Sequence, residues 1–199
     1  MANNKLNKRR LAVLAMIVLA AVATVVLADV IYIYTGQITA KPYTTTPLVF
    51  STGPNAGPSN TAAEPFINFT GTSGGTGFTA TIALTNSSAA YFYEAGELTV
   101  NTGGTLYVTS VSTSGSGMIS GMTIYIAPIS SPNSPVCTFQ VLNGGSTTVP
   151  TTSCTLSSGT TYYVNIYVTP NTPIHSTYSE TVTVNFGYDV VSNTVVLPP

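Results

Sequence analysis

From residue 30 to residue 191 the chain is a succession of short runs rich in Val, Ile, Thr, Tyr and Phe, each closed by Gly, Pro, Asn or Ser. This punctuation leaves no stretch long enough for an amphipathic helix and reads instead as strands and turns. The runs fall at 30–40, 47–50, 66–70, 77–85, 89–93, 97–101, 105–113, 122–127, 136–142, 161–169 and 180–191. In GFTATIALT, Phe78, Ala80, Ile82 and Leu84 alternate with Thr79, Thr81, Ala83 and Thr85, as in a strand with one face in a core and the other toward solvent. Thr suits the outer face, being β-branched and polar without charge. TGPNAGPSN, NTGG, STSGSG and NGGSTT supply hairpins and loops, and Glu94-Ala95-Gly96-Glu97 is expected to turn the chain between AAYFY and ELTV. The spacing predicts one all-β antiparallel sandwich over residues 47–199, and no 20–50-residue self-similarity marks a repeat array.

The surface of such a domain is nearly uncharged. Charged residues make up 6% of the chain, against roughly 25% in ordinary soluble domains. Lys5, Lys8, Arg9 and Arg10 all precede residue 11, which leaves Lys41 as the only base downstream. Nucleic-acid binding needs clustered Lys and Arg to neutralise phosphates, so that class is excluded. Little like-charge repulsion opposes close packing of copies of the chain.

Residues 1–10, MANNKLNKRR, form a basic region ahead of the uncharged run Leu11 to Ala28. This is the layout of an export signal, with Val26-Leu27-Ala28 fitting the small-residue rule and cleavage expected between Ala28 and Asp29; Ala21-Val22-Ala23 offers an earlier site. An uncleaved anchor is the competing reading, since about 18 apolar residues sit at the lower limit for spanning a bilayer. A membrane partner is expected only through this segment. A type IV pilin, cleaved after the basic residues, fits less well because Leu11 rather than a small residue follows Arg10. In each case the β-domain lies outside the cell.

Cys137 and Cys154 agree with an oxidising destination, and a disulfide closing the turn-rich loop between them is expected to stabilise by about 3 kcal/mol. A metal site is not expected at a lone Cys pair so widely spaced, and no cofactor is. His175 is the only histidine and lies in a loop by composition, so any Ser triad would have to pass through it; there is no GxSxG. Glu94 and Glu97 resemble a glycosidase pair only in proximity. No catalytic residue is assigned. Twelve tyrosines could stack on sugars, although the absence of Trp weakens that reading. Asn68-Phe69-Thr70 and Asn86-Ser87-Ser88 are acceptor sequons, which makes Asn68 and Asn86 candidate N-glycosylation sites.

The segment 30–40 stands apart. Val30, Ile31, Tyr32, Ile33 and Tyr34 are apolar on both faces, Ile38 follows, and Lys41-Pro42 leads into the stiff YTTTP. Such a strand completes its own sandwich or inserts into a neighbour by strand addition, and head-to-tail insertion does not close, so it generates a filament.

An export signal, the strand VIYIYTGQITA, a Pro/Thr linker into PLVFSTGPNAGPSN and a Thr/Ser-rich, charge-poor sandwich together resemble the subunits of archaeal bundling pili and thread filaments, a group similar to the TasA/camelysin biofilm-fibre proteins. The likeness is one of layout over the whole chain. It implies a jelly-roll-like sandwich whose first strand, here Val30 to Ala40, completes the sheet of the next subunit, giving a homopolymer that serves adhesion or biofilm.

Overall fold

The computed structural model describes residues 3–26, 35–39 and 46–190. The chain divides into two compact units, Met1–Pro42 and Tyr43–Pro199. In the first, a helix α1 (Asn3–Val26) is built from Leu, Ala and Met, which are strong helix formers, and its side chains from residue 8 to residue 20 are exposed. Among the described residues no helix is long and apolar enough to cross a membrane. Residues 35–39 carry no regular structure, and Ile38 is 97% exposed. Ala28, Asp29 and Val30, Ile31, Tyr32, Ile33 and Tyr34 lie outside the described residues.

The second unit is an antiparallel β-sandwich, in agreement with the strand spacing. Its larger sheet runs in the order β1 (Leu48–Thr52), β4 (Ala90–Val100), β10 (Thr160–Pro170), β6 (Ile119–Pro128), β7 (Cys137–Asn143) and the short β8 (Ser146–Thr147). The facing layer is in two pieces. One is the hairpin β2 (Ile67–Gly71) and β3 (Phe78–Ile82); the other is β11 (Glu180–Asp189), β5 (Gly104–Gly115) and β9 (Ser153–Leu156).

Alternation explains how the layers meet. Tyr162, Val164, Ile166 and Val168 of β10 share one face and are buried, as are Phe139 and Val141 of β7 and Leu98 and Val100 of β4. Leu106, Val108, Leu156, Ile67 and Phe69 come down from the opposite layer into the same core. The hairpin sits over the β1 side, where Phe50 and Phe78 have ring centroids 5.2 Å apart. The three-stranded piece sits over the β7 side, where Phe139 and Phe186 are 6.0 Å apart.

The disulfide forms as expected, with Cα atoms 5.6 Å apart, and it joins the two layers because Cys137 is on β7 and Cys154 on β9. Cys154 sits at the edge of a strand-like segment, and the turn-rich stretch before it ends where β9 begins. SCTL is too short to show a period, and it becomes a strand by pairing with β5, Leu106 opposite Cys154. Replacing both cysteines by Ser is expected to cost about 3 kcal/mol, measured as a lower urea midpoint with the slope unchanged. An unaltered midpoint refutes a structural role for the bond.

The expected turn at Glu94–Glu97 is corrected. β4 runs through it without reversing, because the acid- and Gly-rich stretch is absorbed as a bulge: Gly96 faces Val164 and Phe92 faces Ile166, so Tyr93, Glu94 and Ala95 stand opposite Asn165 alone. Glu94 takes a left-handed φ of 54°, and its freed N–H donates to Asn165 Oδ1 at 2.6 Å. The side chain of Asn165 thereby replaces a ladder partner and lets two predicted strands join into one.

Candidate functional site: an unpaired seam between two strands

The split in the second layer leaves two strand edges facing each other. β3 pairs only with β2, and β11 only with β5, so among the described residues neither has a partner on its other side. The direction of the free backbone groups follows from the pairing already made. Thr72 N–H donates to Gly77 O and Ala83 N–H to Phe66 O, both at 2.9 Å, which directs the odd-numbered residues of β3 toward β2. By alternation the N–H and C=O groups of Phe78, Ala80 and Ile82 point into the seam. On β11, Ser116 N–H donates to Ser179 O at 3.0 Å, so residues 181 and 183 serve β5 while the main chains of Val182 and Val184 face the seam.

The same residues carry the apolar side chains that point inward, and none is fully buried. Every inward position of β3 and β11 is only half-buried, whereas Tyr162, Val164, Ile166 and Val168 of β10 are buried. Between the two edges lies a cleft of about 780 Å³. Phe50, Ile124 and Ile166 of the larger sheet form its floor; Phe78, Ala80 and Ile82 form one wall, and Val182, Val184 and Phe186 the other. One end is closed by aromatic rings, with Phe78 and Phe186 6.5 Å apart and Phe69 stacked on Phe78 at 4.5 Å. The other end holds Met118, Tyr178 and Glu180. Glu180 is the one charged residue among those lining the cleft, and its Oε2 accepts the Ile119 N–H at 2.8 Å.

An edge with open donors and acceptors beside half-buried apolar side chains is what strand addition requires: main-chain bonds supply affinity and alternate side chains fill the cleft. Left open, the same edges would be a liability for indiscriminate pairing. The sequence gives the alternation of both strands but not that they become neighbours across a gap.

A second concave feature lies on the outer face of the larger sheet. Tyr91, Tyr125 and Tyr167 gather there, with ring centroids of Tyr91 6.3 Å from Tyr125 and 6.5 Å from Tyr167, around a hollow of about 260 Å³ that Asn165 also lines. Asn165 is 1% exposed, and its Nδ2 has no hydrogen-bond partner. Burial, and after it the neighbouring Tyr125, raise the Tyr91 phenol pKa, and the Asn165 side chain offsets only part of the rise.

The other sequence-derived candidates separate. Asn68 lies on β2, its Oδ1 accepting from its own sequon hydroxyl, Thr70 Oγ1, at 3.2 Å. Asn86 is engaged elsewhere: its Oδ1 accepts the Ile174 N–H at 2.6 Å and so holds the loop that carries His175. His175 is exposed, with its ring edge-on to Tyr178 at 4.9 Å. Glu94 and Glu97, expected at an exposed turn, are half-buried within β4, and Glu94 Oε2 accepts from Asn55 Nδ2 at 3.1 Å. Among the described residues no three His, Cys, Asp or Glu side chains converge. Comparison with protein-family models gives no match, and neither does comparison with curated proteins.

Proposed function

We propose that the protein is a non-enzymatic structural subunit of an extracellular filament, in which residues 30–40 of one subunit fill the seam between β3 and β11 of the next. The open seam is the observation that carries this reading. Inserted there, a strand would hydrogen-bond to both edges and join the two pieces of the second layer into one continuous sheet. Head-to-tail donation propagates without closing, so the product is a homopolymer, and the low surface charge sets little repulsion against it. Adhesion or cell-to-cell contact is the role such a fibre serves.

The test is electron microscopy of protein purified from cells, with amino-terminal sequencing of the same material. Filaments built from chains that begin near Asp29 are expected. A monodisperse monomer under all conditions refutes the reading. The tyrosine hollow favours a second reading, a secreted or anchored module that stacks on sugars. Glycan binding by the monomer that survives removal of residues 30–40 would select it.

A further inference from the structure

The tyrosine hollow on the outer face of the larger sheet holds an unmet donor. Strand register brings its parts together: on β10, Asn165 stands opposite Tyr125 of β6, and Tyr167 opposite Tyr91 of β4. Asn165 cannot turn its carboxamide over, because Oδ1 accepts the Glu94 N–H that the bulge frees. Nδ2 is therefore the end of the side chain left over where Asn165 lines the hollow, buried and without a hydrogen-bond partner among the described residues. A buried donor in that position carries the cost of its desolvation until an acceptor reaches it.

We propose that the hollow binds one ring of a neutral glycan, a hexopyranose whose C–H face stacks on Tyr167 and one of whose hydroxyl oxygens accepts from Asn165 Nδ2; the inference rests on the sugar reading of the hollow above. The lining fixes the class. The negative face of a tyrosine ring suits the weakly positive C–H face of a pyranose. A wholly apolar ring would leave Nδ2 unmet. None of the lining residues is charged, so a uronate or an amino sugar finds no counter-charge. The volume of about 260 Å³ falls below the roughly 300–1,000 Å³ of sites for drug-sized ligands, which suits a single ring. A proline-rich peptide offers comparable rings and carbonyls, but its recognition spreads along a groove.

The site is also built in advance. One wall is the loop 129–136, where Ser131 N–H donates to Pro128 O and Ser134 N–H to Ser131 O, both at 2.9 Å, and where Pro132 and Pro135 restrict the backbone. Asn133, exposed on this wall, offers a second carboxamide to the hydroxyls of the ring. A wall set before binding lowers the entropy lost on association. Tyr91, 50% exposed, is the outermost of the three tyrosines and turns aside to admit the sugar oxygen. The seam belongs to the opposite layer, so a sugar and an inserted strand do not compete.

The chain has no Trp, so its fluorescence reports tyrosine alone and serves to follow binding. Full-length protein titrated with glucose, galactose, mannose and their short oligomers is expected to bind at least one with a millimolar Kd, as a ligand of one ring does. Y167A and Y125A are expected to weaken that binding about tenfold with little change in thermal midpoint, and Y167F to bind as the parent does. Among monodeoxy forms of the bound sugar, one is expected to bind about tenfold more weakly, which marks the oxygen that meets Nδ2. Unaltered binding in both alanine variants, or equal binding of every monodeoxy form, overturns the proposed site and leaves the sugar reading standing. Failure of the parent protein to bind any of these sugars, or binding of an oligoproline peptide in their place, removes both.

Discussion

A chain lacking residues 30–40 is expected to fold, remain monomeric and form no filaments at any concentration. The fold survives because the core of the sandwich is supplied entirely from within residues 46–190: Leu98, Phe139, Val164 and Leu106 are buried by one another and by the disulfide-joined layers. Assembly fails because the edges of β3 and β11 then meet only water, which satisfies their backbone groups but cannot bury the half-exposed Phe78, Val182, Val184 and Phe186. A synthetic peptide of residues 30–40 is expected to bind the truncated protein and raise its thermal midpoint, since a ligand that binds only the folded state stabilises it by mass action. Sedimentation, microscopy and the melting curve together read these outcomes. Normal fibres from the truncated chain would remove the donor role.

The second large effect is expected at the contact between Gly96 and Phe69. Gly96 lies on β4 directly beneath the Phe69 ring, and a methyl group there would press on Cζ, Cε1 and Cε2 of that ring. Phe69 cannot swing aside, being wholly buried and stacked on Phe78. Gly96→Ala should therefore destabilise by about 1–3 kcal/mol through overpacking, and Phe69→Ala by about 3–5 kcal/mol through the cavity it leaves. The double variant should cost less than the sum, by about 1–3 kcal/mol, because the new methyl occupies part of that cavity. Urea denaturation of the four proteins measures the cycle. Additivity within about 0.5 kcal/mol would show that the ring does not rest on the glycine. The contact bears on the seam as well, since Phe69 and Phe78 close its aromatic end.

Contacts distant along the chain decide several local structures, as they decide the seam. Glu94-Ala95-Gly96-Glu97 has the composition of a turn, yet Asn165, 71 residues away from Glu94, supplies the acceptor that holds it in a strand. SCTL has no period of its own and is a strand because β5 lies alongside. The hollow of Tyr91, Tyr125 and Tyr167 draws on three strands that no local pattern associates.

Features that depend on near neighbours along the chain are legible without coordinates. The period-two alternation of Phe78 to Ile82 and of Val182 to Phe186, the Gly- and Asn-rich turns, and the pairing of two lone cysteines all follow from residues a few positions apart or from there being no other partner. Which edges stay unpaired depends instead on how the strands are arranged in space. A strand carries the same alternation whether or not a second ladder forms beside it, because side chains and backbone hydrogen bonds point in perpendicular directions. The opening between β3 and β11 is thus a property of how the eleven strands among the described residues share two layers, and no single segment encodes it.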